Sequence, residues 1–150
     1  MTLRLLPVVT VAAVVLTGLG IACTTSDAPP IERIAVRSGW ARIADSGATS
    51  GAYLEIANND TVAITLVGVT TDDAGAAEVH ETMQHDGMAH MMPRTEVGIP
   101  AGDVVTMAPG GVHVMLINLR RALVIGDSVR LRLRFSDSTS VNVTAPVRTP

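Results

Sequence analysis

A single all-β domain, a sandwich or a barrel, is the fold this sequence predicts, and three observations carry the prediction. After residue 32, short apolar runs alternate with turn residues at the spacing of roughly 8–12 positions that marks an antiparallel β fold. Apolar residues make up 47% of the 150, yet Trp40, Tyr53 and Phe135 are the only aromatics. The core must therefore be filled by Val, Leu, Ile, Ala and Met, and abundant branched side chains suit a pleated surface. No stretch sustains a 3.6-residue apolar period, so no amphipathic helix is expected.

The expected strands, in order, are Ile34–Arg42, Ala52–Asn58, Ile64–Thr71, Ala77–Met83, Ala89–Arg94, Val104–Ala108, Val112–Leu119, Ser128–Phe135 and Val141–Pro146. Residues that favour reversals separate them: Asn59-Asp60, His85-Asp86-Gly87, Pro100 to Asp103, Pro109-Gly110-Gly111, Gly126-Asp127 and Ser136 to Ser138. In VRLRLRF, Arg130, Arg132 and Arg134 alternate with Val129, Leu131, Leu133 and Phe135, as in a strand with one buried and one solvated face. The fold is expected to close near Val147.

Before the first strand, Arg4 precedes an apolar run from Leu5 to Ala22 that ends in small residues and Cys23, the order of parts in a secretory leader. A cysteine at that point, followed by the polar tether TTSDAPP, resembles a bacterial lipoprotein signal. The expected organisation is a signal peptide over 1–22 with Cys23 lipid-modified, a flexible tether over 23–32, and one β domain over 33–148. The protein is then secreted across the cytoplasmic membrane, and is either lipid-anchored on its outer face or periplasmic.

Composition excludes several functions. A formal charge of −3 gives no overall electrostatic footprint for nucleic acid, and the arginine row of VRLRLRF is read as a solvated face. With Cys23 in the leader, the folded part has no thiol, which removes disulfide exchange and also the thiolate that a blue-copper electron-transfer site requires.

What remains is a concentration of soft ligands. HETMQHDGMAHMM, residues 80–92, holds three of the four histidines and four of the seven methionines, and the fourth histidine lies in the triplet His113-Val114-Met115. Imidazole is the commonest protein metal ligand, and a thioether is a soft donor that selects Cu(I) over magnesium, calcium or manganese. Residues two apart on a strand point the same way, so His113 and Met115 project together while Val112, Val114 and Leu116 turn inward. A hairpin reversing at Asp86-Gly87 brings His80 beside Met91, with Met92 pointing away as core filler. Met107 is read as core, and Trp40 as a core or sheet-edge anchor.

The resulting pattern, His80-x10-Met91-x21-His113-x-Met115, stands among VHETM, DGMAHMMP, IPAG and PGGVHVML. Together with GWARIADSGATSGAYLEIANND near the start of the domain, it resembles the periplasmic copper chaperones called PCu(A)C from about Ile34 to Val147. The resemblance implies a cupredoxin-like Greek-key β-sandwich that binds one Cu(I) ion through His80, Met91, His113 and Met115. It also implies delivery of that ion to the CuA centre of cytochrome c oxidase, with the apo-CuA subunit or another copper acceptor as partner. A copper-sequestering envelope protein without specific transfer is the alternative reading. Met83, His85, Met88 and His90, on or beside the turn, are expected as accessory metal-capturing residues, and Glu81 or Asp86 as partners that orient a histidine. A monomer is expected, and not an enzyme: no histidine follows the processed N-terminus and no second histidine cluster could hold multinuclear copper. Neutral ligands leave the cation's charge uncompensated, which favours a site near the surface, where a partner's ligand can also enter.

Overall fold

The computed structural model describes residues 32–85 and 87–150. The expected leader, the lipidation site Cys23, the tether up to residue 31 and the turn residue Asp86 lie outside them.

The described residues form an all-β unit of ten strands: β1 Ile34–Arg42, β2 Ser50–Asn58, β3 Ile64–Thr71, β4 Ala74–His85, β5 Met88–Pro93, β6 Val97–Ile99, β7 Val104–Met107, β8 Val112–Leu119, β9 Ser128–Phe135 and β10 Ser140–Arg148. One layer runs β5-β4-β8-β2-β1 and the other β10-β9-β3-β6. They are joined where β1 meets β10 in a short parallel pairing, Ala41 with Val147 and Arg42 with Arg148. On its far edge β2 is shared end to end, by β8 along Ser50 to Ala52 and by β7 along Leu54 to Ala57. Only β1–β2, β4–β5 and β9–β10 are sequence neighbours paired as hairpins, and the remaining connections cross over, as a Greek-key sandwich requires.

Alternation along each strand decides what fills the space between the layers. In β2, Ala52, Leu54 and Ile56 are buried while Gly51, Tyr53 and Glu55 face outward. In β9 every apolar residue of VRLRLRF is buried and every arginine exposed, as its pattern predicts. Phe135, Leu54, Leu116, Leu131 and Leu133 are each no more than 1% exposed and belong to one contiguous core. Asn58 is a buried polar residue whose amide donates to the carbonyls of Val62, Ile99 and Pro100, at 2.8, 3.2 and 3.1 Å. Those three bonds satisfy it and tie the loops at that end of the sandwich.

Two expectations need correction. A tenth strand, β6, was not expected, because three residues are too few to display a period; it is fixed by pairing with β3, which buries Val97 and Ile99 on either side of Gly98. Met92 is not core filler: it is 52% exposed. The cause is the length of β4, whose twelve residues outrun the sandwich, so that β5 is paired along a projecting hairpin and is exposed throughout. Met107, at 2% exposure, is in the core as expected.

Candidate metal centre

The outer face of the first layer carries the candidate site, and β8 is its base. The turn before β8 needs Gly110 at φ 80°, a left-handed conformation that costs glycine little. The carbonyl of Gly111 then lies 3.0 Å from Nδ1 of His113. A carbonyl oxygen has no proton to give, so Nδ1 must be the donating nitrogen, and Nε2 keeps its lone pair. Met115, two residues on, shares the face.

Directly opposite His113, on β4, is His80. Its Nε2 lies 3.1 Å from Oε2 of Glu78, a carboxylate that accepts only, so Nε2 donates and Nδ1 is left with the lone pair. Nδ1 of His80 is buried and has no hydrogen-bond partner. The two rings have centroids 6.4 Å apart with a 39° interplanar angle. At metal–nitrogen bonds of about 2 Å, two rings on one four-coordinate ion would have centroids about 5–6 Å apart, so binding would draw these rings together.

The thioethers flank this pair. Met115 stands opposite Glu78 on one side and Gly51 on the other. A Cβ on Gly51 would come 2.7 Å from the Tyr53 hydroxyl, so glycine there leaves Tyr53 in place and the floor beside Met115 open. Met91 is opposite Thr82, one row along from His80, and therefore diagonal to the expected partner. Met91, His113 and Met115 line one surface cleft together with Gly51, Tyr53 and Thr82, and His80 adjoins it through His113. The four expected ligands thus share one face. Their exposure is graded: His113 is 7% exposed and the His80 side chain 14%, whereas Met91, on the edge strand, is 58% exposed. Two neutral nitrogens and two thioethers form a donor set for a soft monovalent cation, and the unpartnered Nδ1 of His80 fits such a ligand.

The expected accessory residues do not join this set. Cross-strand pairing puts Met83 opposite His90 and Glu81 opposite Met92, and these, with Met88, lie on the other face of the hairpin from Met91; His85 pairs with Met88 in the backbone register. Glu81 bonds Arg94 at 3.3 Å and is no orienting partner for His80; that partner is Glu78. The E-x-H spacing of Glu78 and His80, a same-face pair on any strand, is the signal that would have revealed it. Trp40 is neither core nor a bare edge anchor. It stacks on Tyr53 at 4.4 Å with the Arg148 guanidinium 4.5 Å above its ring, and Tyr53 in turn stands 6.2 Å from His113. Of this stack, Tyr53 is the member that lines the cleft.

The family model described as "Putative lipoprotein LpqE-like" matches residues 34–147. A protein of Leifsonia xyli subsp. xyli, described as "Putative lipoprotein Lxx21020", is 35% identical over 98% of this chain and 92% of its own length. Among solved structures, that of CuI-DR1885 from Deinococcus radiodurans is 28% identical with a TM-score of 0.62, covering 84% of this chain and 83% of that one. The apo PCuAC domain from PmoF1 is 26% identical with a TM-score of 0.66, covering 79% of this chain and 96% of that one. The sandwich described above is the cupredoxin-like fold of these PCuAC domains, as the sequence resemblance implies.

Proposed function

The chain belongs to the LpqE-like family, and from that premise we propose that its sandwich is an extracytoplasmic Cu(I) carrier holding one ion at His80, Met91, His113 and Met115. One observation carries the reading: two imidazoles at facing positions on β4 and β8, each with one nitrogen committed to donation, and the remaining nitrogen of His80 buried without a partner. A buried polar atom left unpaired costs on the order of 1–3 kcal/mol, which a metal bond at that atom offsets. The Deinococcus relative was solved as CuI-DR1885, which supports the choice of ion.

The graded exposure supports handover over storage. The nitrogens hold the ion from below, while Met91 is the outermost donor and sits on an edge strand. An incoming soft ligand from an acceptor displaces Met91 first, and the ion is never free in solution. The acceptor in this reading is the apo-CuA subunit of cytochrome c oxidase or another copper-accepting protein. A signal peptide over 1–22 and lipidation at Cys23 complete the proposal by holding the carrier at the outer face of the cytoplasmic membrane, and the relative described as a lipoprotein supports them.

The test has two parts. In competition with a Cu(I) chelator, His113→Ala and Met115→Ala should each weaken the tightest equivalent at least tenfold, about 1.4 kcal/mol. The loaded protein should also transfer copper to an apo-CuA fragment, read by the visible absorbance of the product. Unchanged titrations would refute the ligand assignment, and tight binding without transfer at stoichiometric copper would make the protein a copper-sequestering one.

A further inference from the structure

The back face of the β4–β5 hairpin carries a second set of soft donors that the cleft cannot use. Along β4 this face begins as core: Val79 is 8% exposed and packs inward. Two rows further out, the strand has left the sandwich and Met83 is 45% exposed. Opposite Met83 stands His90, with Met92 in the row below and Met88 in the row above. Directly paired side chains on such a ladder have Cβ atoms about 5 Å apart, and the diagonal neighbours about 7–8 Å, within reach of flexible methionines.

An exposed apolar face on a hairpin could equally cover a protein partner. The choice of residue argues against that. Where this chain needs apolar strand surface it uses Val, Leu, Ile and Ala, and Met107 is the only buried methionine among the described residues. On the back face the large apolar residues are Met83, Met88 and Met92, at 45, 61 and 52% exposure, and they surround an imidazole. A branched aliphatic would serve a docking surface as well and would suit a strand better. A thioether differs from it chiefly as a soft metal donor.

We propose that Met83, Met88, His90 and Met92 form a second Cu(I) site on the back of the hairpin, separated from the cleft by the thickness of one strand pair. Met91 and Met92, adjacent in sequence, face opposite ways on the edge strand β5, so the two sites share that edge. Every donor on the back face is exposed and must be ordered on binding, whereas His80 and His113 are already held by Glu78 and Gly111. The back site is therefore the weaker of the two, by at least tenfold, and serves to collect the ion. The assignment stands on the hairpin's own donors and does not depend on the ligands assigned in the cleft.

The experiment is an anaerobic titration of the full chain with Cu(I) under ascorbate, against a colorimetric Cu(I) chelator, with methionine-methyl NMR in parallel. The wild type should take two equivalents, the second shifting the methyls of Met83, Met88 and Met92. Met83→Leu with His90→Ala, both on an exposed face, should remove the weaker equivalent and keep the tighter. His113→Ala with Met115→Leu should do the reverse. A stoichiometry of one in the wild type, or a second equivalent that survives Met83→Leu/His90→Ala, would overturn the back site. A tight equivalent that survives His113→Ala/Met115→Leu would instead overturn the cleft assignment and leave the back site standing.

Discussion

Replacing Glu78 tests the chemistry of the cleft without touching a proposed ligand. Its carboxylate sits 3.1 Å from Nε2 of His80 and does two things there. It fixes the proton on Nε2, which leaves the Nδ1 lone pair free for a metal, and it would place a negative charge one ring away from a cation whose proposed ligands are all neutral. Outer-shell partners of metal-binding histidines typically contribute about 10–100-fold in affinity. The Glu78 side chain is 52% exposed, so solvent screens it and the low end applies. Glu78→Ala should weaken the tighter Cu(I) equivalent about tenfold, near 1.4 kcal/mol. Glu78→Gln should cost less, because its amide oxygen still accepts from Nε2 but carries no charge. Chelator competition reads the affinity, and long-range 15N–1H correlation of the apo protein reads the tautomer. Wild-type His80 found with its proton on Nδ1, or an affinity unmoved by Glu78→Ala, would refute the reasoning.

Other outcomes follow from the same structure. Graded peroxide should oxidise the exposed Met83, Met88, Met91 and Met92 before Met107, which is 2% exposed, as mass spectrometry of peptides would show; copper binding should be lost because a sulfoxide is no longer a soft donor. Leu133→Ala, at a fully buried core position, should lower unfolding stability by about 2–5 kcal/mol in denaturant titration. Three aspartates should confer acid sensitivity. Arg33 bonds Asp60, the Val124 amide and then Arg121 bond Asp127, and the Thr139 hydroxyl and amide bond Asp137, holding each carboxyl below its ordinary range. A depressed folded-state value means the stabilisation is present above the ordinary carboxylate pKa of about 3.9 and is lost as pH falls through the lower value. Tm should accordingly hold from pH 7 to about 5 and decline below about 4, and Asp127→Asn should flatten that decline.

Much of this arrangement was legible in the residues, for reasons that differ from place to place. Strand identity came from alternation and turn chemistry, and β1, β3, β8 and β9 have the bounds expected of them. The same-face pairing of His113 and Met115 needed only the period of two. The hairpin register was available too: the reversal expected at Asp86-Gly87 implies His85 against Met88, and counting back sets Met91 against Thr82, the register observed. Reading His80 as Met91's neighbour missed that count by one row. Other features depend on pairings between distant segments. Nothing local announces that β4 lies against β8, which is what sets His80 opposite His113, or that β4 outruns the sandwich and exposes Met92. The same holds for the Trp40–Tyr53–Arg148 stack, assembled from β1, β2 and β10.

The most direct measurement is an X-ray absorption spectrum of the protein loaded with less than one equivalent of Cu(I), so that the tighter site alone is filled. Two nitrogen and two sulfur neighbours are expected, with one sulfur lost in Met115→Leu and one nitrogen lost in His80→Ala. A shell of nitrogens alone, or a spectrum that neither substitution alters, would contradict the centre assigned to the outer face of β4, β5 and β8.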